Sequence, residues 1–126
     1  KTSKNMKVKN IDELIKKDLL RKNILEFYSE AKQSEINKSY NSAATLYFKA
    51  IVVAIDYIIF LEKSIIPKNH TQRFEILKKE YPKYYDLLDK DFPLYQKTYS
   101  LRAKKEEVEV LKNDARQIIE ESGNKI

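Results

Sequence analysis

The chain has 126 residues, 42% of them hydrophobic and 35% charged, which is the balance of one globular domain. Because it has no Cys and a single His, it excludes a disulfide framework, a thiolate metal site and a multi-histidine site, so we expect no metal and no cofactor. The net charge of +6 is unevenly distributed: residues 1–38 and 67–105 are basic, and residues 106–126 are acidic. Such a distribution is typical of a protein with an anionic partner or of an oligomer that pairs unlike ends, but it also suits a surface that only keeps the protein soluble.

The N-terminal third predicts helix. Residues 1–9 are polar, basic and aperiodic, which predicts a flexible basic arm. Asn10, with Glu13 three residues later, is typical of a capping box. Apolar residues then recur at helical spacing: Ile11, Leu14, Ile15, Leu19, Leu20, Ile24, Phe27, Tyr28 and Ala31. This pattern predicts one or two helices and a turn near residues 37–39, within a single domain over residues 10–122 that is followed by a tail, residues 123–126.

Residues 40–63 predict the central helix of a bundle, because apolar side chains cover most of its circumference. Thr45, Lys49 and Asp56 form a narrow polar stripe, which either reaches solvent or lines a polar cleft or subunit contact. A membrane span is the alternative for this segment. Lys49 and Asp56 would each cost about 2.5 to 3.5 kcal/mol at the bilayer centre. We therefore predict a buried core helix, no membrane contact and a cytoplasmic location.

The remaining elements are also predicted to be helical. Asn69 and Gln72 indicate a capping box, and Pro82 and Pro93 each suit a first helical turn. The apolar spacing over residues 94–119 predicts one long amphipathic C-terminal helix, stopped by the glycine at position 123. Few helix breakers and no alternating stretch make the fold all-α. We predict an antiparallel bundle of four to five helices.

A basic and aromatic run between residues 81 and 105 indicates binding. Aromatic faces stack unpaired bases while cations hold the phosphate backbone; the same residues equally suit rings packed into a bundle with lysines on its rim. The candidate contacts for an anion or RNA are Arg102, Lys104, Lys105 and Tyr99, with His70 and Arg73 as further candidates. Arg102 and His70 also have a purely structural interpretation. Arg102 could form a surface ion pair with Glu106, and His70 could cap a helix. We predict no catalytic residue, since the carboxylates of the last helix fit a solvated face.

Some of these features resemble the HEPN domain family. The resemblance covers about residues 20–121, and its last feature is an Arg102 that opens the long terminal helix. It is carried by Ile24, Phe27, Ala31, Tyr40-Asn41-Ser42-Ala43, Tyr47, Ala50, Ile51, the Pro67–His70 turn and Leu101-Arg102. It implies a small helical bundle that forms a homodimer and binds nucleotides, or binds or cleaves RNA, often beside a nucleotidyltransferase partner. Nuclease members carry a His shortly after the Arg, but residues 107–109 here are Glu, Val and Glu. The chain therefore lacks the histidine that would serve as the general base of a ribonuclease.

The prediction is therefore a HEPN-like, non-catalytic nucleotide- or RNA-binding module. The alternative is a protein–protein interaction adaptor or antitoxin-like partner with no nucleic-acid role, and a third hypothesis is an active ribonuclease. Tyr40, Ala43, Tyr47 and Ala50 also match one tetratricopeptide helix pair. No second copy follows at the expected period, and a single repeat cannot bury its own face.

Overall fold

The computed structural model describes the backbone of residues 2–126 and the side chains of residues 10–126. Over that part of the chain the fold is an all-α bundle without strands, as predicted. Its elements are α1 (Thr2–Ile36), α2 (Tyr40–Lys63), α3 (His70–Glu80), α4 (Pro82–Gln96), a 3-10 turn (Lys97–Tyr99) and α5 (Lys105–Glu121). The side chains of the arm predicted over residues 1–9 lie outside the described residues, so that arm stays a prediction.

α1 and α2 form an antiparallel hairpin. α1 is one helix that continues through Asn10, so the capping box predicted there is wrong. The turn lies where it was predicted, at residues 37–39. It is closed by a hydrogen bond of 2.8 Å from Ser39 N to Ser34 O, and Lys38 adopts a left-handed conformation with φ of 60°. This turn brings the end of α1 beside the start of α2.

α2 is the central helix, with α1, α4 and α5 packed around it. Twelve of its residues are buried, including Tyr47, Ile51 and Ile55, and each large apolar side chain removed from water contributes about 1.5 to 3 kcal/mol. By length and composition α2 could cross a membrane, but 61% of its most apolar stretch is buried inside the bundle. The predicted core helix is confirmed. Ser64, the residue that caps its C-terminus, has a left-handed φ of 58°.

α3 and α4 form a second layer on α2. Asn69 caps α3 by accepting a 2.9 Å hydrogen bond from Gln72 N, as predicted, while the Gln72 side chain accepts from Lys68 N and not from Asn69. Pro82 occupies the first turn of α4, also as predicted. Pro93 does not begin a helix: it lies inside α4, where its missing N–H removes one backbone hydrogen bond.

The predicted long C-terminal helix is divided in two. Residues 94–96 complete α4, the 3-10 turn follows, and residues 100–104 form a loop before α5 begins at Lys105. The helix end is as predicted, since Gly123 has a φ of 87° that favours glycine. The tail returns to the bundle, because the Asn124 side chain is buried and accepts a 3.1 Å hydrogen bond from Arg21 Nε.

Candidate functional site

A buried ion pair joins α2 to α3. Arg73 donates from Nε and Nη2 to the two carboxylate oxygens of Asp56, at 2.7 and 2.8 Å, and both residues are buried. The third guanidinium nitrogen, Nη1, lies 2.9 Å from His70 Nδ1. Burial raises the pKa of Asp56, and the hydrogen bonds from Arg73 oppose that rise. Each guanidinium nitrogen is thus engaged within the fold, which uses three of the five N–H donors, and the Arg73 side chain is buried.

His70 is held in one tautomer by this contact. Arginine only donates hydrogen bonds, so His70 Nδ1 must accept and the ring proton must sit on Nε2. Burial first, and the Arg73 charge second, lower the pKa of His70. The ring packs edge-on against Phe92 at 5.6 Å between centroids. His70 is therefore a neutral ring with a fixed orientation at the start of α3.

The polar stripe of α2 meets three different environments. The Thr45 hydroxyl lies 3.4 Å from that of Thr98 in the 3-10 turn, and Lys49 Nζ lies 5.7 Å from the centre of the Phe27 ring. Asp56 is buried beneath Arg73. Thr45 and Lys49 reach the surface of the bundle and Asp56 does not, so the three do not form one polar cleft.

Asn41 fixes the loop that carries several predicted contacts. Its side-chain amide donates to Thr98 O at 3.2 Å and to Leu101 O at 2.9 Å, while its Oδ1 accepts from Ala103 N. These bonds tie residues 98–103 to the first turn of α2. Sequence reasoning gave Asn41 no role of its own, because its partners lie about sixty residues away along the chain.

The predicted contacts Tyr99, Arg102, Lys104 and Lys105 lie on or beside this loop, and all four are exposed. Tyr99 is 77% exposed, and its hydroxyl hydrogen-bonds that of Tyr95 at 2.8 Å. Arg102 lies in the loop and not on the terminal helix where the resemblance would have it, because Asn41 holds the chain extended at this point. Lys105 is the first residue of α5.

A basic cavity of about 350 Å³ lies next to this loop, where α1 ends and α2 and α5 begin. It is lined by Lys32, Glu35, Ile36, Lys38, Tyr40, Lys105 and Lys112. Its single carboxylate, Glu35, accepts a 2.7 Å hydrogen bond from the Tyr47 hydroxyl and lies 3.7 Å from Lys112 Nζ. We call the cavity and the loop together the basic end, whose members are Lys32, Lys38, Tyr40, Tyr99, Arg102, Lys104, Lys105 and Lys112.

Glu107 lies in the first turn of α5, and its carboxylate is tied to the 3-10 turn. Both of its carboxylate oxygens accept hydrogen bonds from Lys97 Nζ, at 2.9 and 2.7 Å, and one also accepts from Lys104 N. The Lys97 ammonium first, and the Lys104 amide second, lower the pKa of Glu107. A carboxylate held ionised in this way is a poor proton acceptor near neutral pH. Glu107 fastens the 3-10 turn to α5.

A second buried carboxylate lies between α4 and α5. Asp91 has no exposed surface, and the groups beside its carboxyl are the Lys90 ammonium and the Asp114 carboxylate. Lys90 Nζ lies 3.7 Å from Asp91 Oδ1 and 2.9 Å from Asp114 Oδ2. Burial first, and the neighbouring Asp114 second, raise the pKa of Asp91 to about 8. Asp91 therefore keeps its proton at neutral pH.

The other tyrosines of the basic and aromatic run belong mainly to the bundle. The Tyr81 and Tyr84 rings stack on each other, and their hydroxyls donate to Glu62 and Glu121. Burial first, and the bond to Glu121 second, raise the pKa of Tyr84 to about 12. Among the side chains of residues 10–126, no group of three or more His, Asp and Glu is placed to hold a metal ion.

The fold and the basic end define the chain as a five-helix bundle with a cationic cavity at one end. Comparison with models of known protein families, with characterised proteins and with solved structures finds no significant match.

Proposed function

We propose that this protein is a HEPN-like, non-catalytic RNA- or nucleotide-binding module that holds the anion at its basic end. The observation that carries the proposal is the convergence of Lys32, Lys38, Lys105 and Lys112 on one cavity. Two distant stretches of the sequence, residues 32–38 and 105–112, supply these four ammonium groups. A cluster of like charges is favourable mainly when an anion shares it.

The adjoining loop supports the same proposal. Arg102 and Lys104 are exposed and enter none of the direct ion pairs found among residues 10–126. The exposed ring of Tyr99 offers a face on which an unpaired base can stack. Cations for the backbone and an aromatic ring for a base are the two parts that single-strand binding needs.

A salt-dependent titration tests this proposal. Labelled single-stranded RNA is expected to bind at about 50 mM salt and to weaken steeply at about 200 mM, because phosphate contacts release counterions. The Lys38→Ala/Lys105→Ala variant is expected to bind about tenfold or more weakly and to lower the salt slope by about one for each phosphate that it no longer neutralises. Fluorescence anisotropy measures both quantities.

The control variant is Lys68→Ala/Lys79→Ala, which removes the same charge from exposed positions outside the basic end. It is expected to bind almost as the unchanged protein does. No binding at low salt, or an equal loss in both variants, contradicts the proposal. RNA is expected to stay intact with the unchanged protein and with Arg102→Ala alike, and cleavage that depends on Arg102 would favour the ribonuclease hypothesis instead.

A second candidate function, protein–protein interaction, is favoured by the apolar face of α1. We define this face as Ile11, Leu14, Ile15 and Leu19, each between 54 and 64% exposed. We propose that a second copy of the chain covers it. Ion pairs of 3.0 Å, Asp12–Lys16 and Asp18–Lys22, put charges of both signs on the same stretch of helix, so an antiparallel copy meets opposite charges.

Sedimentation velocity at micromolar concentration is expected to show a dimer. Leu14→Glu is expected to make it a monomer, because the new carboxylate would lose its water inside the contact. Gln33→Glu adds the same charge to an exposed position elsewhere on α1 and is expected to leave the dimer unchanged. A monomeric unchanged protein, or a dimer that survives Leu14→Glu, contradicts this contact.

A further inference from the structure

The charges of the basic cavity are strongly unbalanced. Four lysines line it against one carboxylate, Glu35. That carboxylate already accepts from the Tyr47 hydroxyl and lies near Lys112, so part of its charge is engaged inside the protein. Among residues 10–126, Lys32, Lys38 and Lys105 take part in no ion pair. The cavity therefore carries an excess of about three positive charges in a volume of about 350 Å³.

Local contacts position the segments that carry three of these lysines. Lys38 projects from the tight α1–α2 turn, which the Ser39–Ser34 hydrogen bond closes. Lys105 begins α5 directly after the loop that Asn41 ties to α2. Lys32 lies on the last turns of α1, with its Nζ 5.8 Å from the centre of the Tyr28 ring. The cationic groups therefore come from the end of α1, the α1–α2 turn and the start of α5, which the fold brings to one cavity.

We propose that this cavity binds a terminal phosphate monoester, an inference that rests on the proposed function and specifies its ligand. An internal phosphodiester carries one negative charge, whereas a monoester carries about 1.5 to 2 at neutral pH and offers three acceptor oxygens. Three excess ammonium groups suit the second better than the first, because each oxygen can accept from its own lysine. The loop with Tyr99 and Arg102 then holds the chain that follows the phosphate.

The monoester has three sources that an experiment can separate: a 5′ end, a 3′ end or a free nucleotide. One short RNA sequence is prepared with a 5′ phosphate, with a 3′ phosphate and with hydroxyl groups at both ends. At least one phosphorylated form is expected to bind about tenfold more tightly than the hydroxyl form at about 150 mM salt. Competition with a nucleoside monophosphate shows whether the free nucleotide suffices.

Two further measurements show whether the preference for a terminal phosphate arises at the basic cavity. It is expected to shrink at about pH 5.5, where the monoester gains a proton, since its second pKa is about 6. It is expected to vanish in Lys38→Ala/Lys105→Ala and to persist in Lys68→Ala/Lys79→Ala, with circular dichroism to show that both variants are folded.

The outcomes distinguish the two proposals. Equal affinity for all three RNAs overturns the monoester inference and leaves RNA binding standing. A preference that survives removal of the Lys38 and Lys105 ammonium groups also overturns it, because the phosphate would then lie elsewhere. Absence of binding by every RNA at low salt overturns the proposed function itself.

Discussion

Arg73→Ala is expected to lower the free energy of unfolding by about 3 to 5 kcal/mol, because it leaves the buried carboxylate of Asp56 without a partner. The same change removes the bond that orients His70. Urea unfolding followed by far-ultraviolet circular dichroism measures the loss of stability, from the change in midpoint at constant slope.

The double variant Asp56→Ala/Arg73→Ala serves as the internal control. It is expected to be more stable than Arg73→Ala, since no uncompensated charge remains buried, although both variants lose packing. The loss of stability caused by Arg73→Ala is expected to be smaller at low pH, where the unpaired Asp56 takes up a proton and is no longer charged. A loss of stability below about 1 kcal/mol, the value of an exposed ion pair, would contradict the buried pair.

Asp91→Asn is expected to stabilise the protein, and to do so increasingly as the pH rises. The folded pKa of Asp91 is about 8 against an ordinary value of 3.8, so the folded state holds one more proton than the unfolded state between these values. Stability of the unchanged protein therefore falls as the pH rises through this window, and levels off above pH 8. Asparagine is neutral throughout and removes this fall. We expect little gain near pH 4 and a gain of about 5 to 6 kcal/mol at about pH 9, because each unit of pKa difference is worth about 1.4 kcal/mol.

Thermal and urea unfolding between about pH 4 and pH 9 measure this dependence. Two charged groups face Asp91 in the structure: Lys90 on the same helix and Asp114 on α5. Asp89→Asn makes the same chemical change on an exposed residue of α4 and is expected to leave the pH profile unchanged. If Asp91→Asn destabilises the protein equally at all pH values, the result contradicts a raised pKa of Asp91 in the folded state.

The elements that could be predicted from the sequence are those set by local patterns. The bounds of α2 follow from apolar residues around most of the circumference of residues 40–63, and the cap at Asn69 follows from its side-chain chemistry. The turn near residue 38 follows from the break in the apolar spacing. Each of these signals lies within a few residues of the structure it predicts.

The elements that could not be predicted depend on distant contacts. Nothing in residues 97–104 forbids helix, and the loop there exists because Asn41 binds its backbone groups. The basic cavity was not predicted because Lys32, Lys38 and Lys112 lie outside the run of residues 81–105, and only Lys105 was among the predicted contacts. Asp91 ends the short polar triplet Asp89-Lys90-Asp91, and only the packing of α4 on α5 shows that it is buried.

If RNA binds at the basic end, as we propose, an NMR titration will locate the contact residue by residue. Short single-stranded RNA added to ¹⁵N-labelled protein at low salt is expected to shift the backbone amides of residues 37–41 and 99–105. The amides of α3 are expected to stay in place. Shifts confined to α3, or no shifts at any RNA concentration, would contradict RNA binding at the basic end.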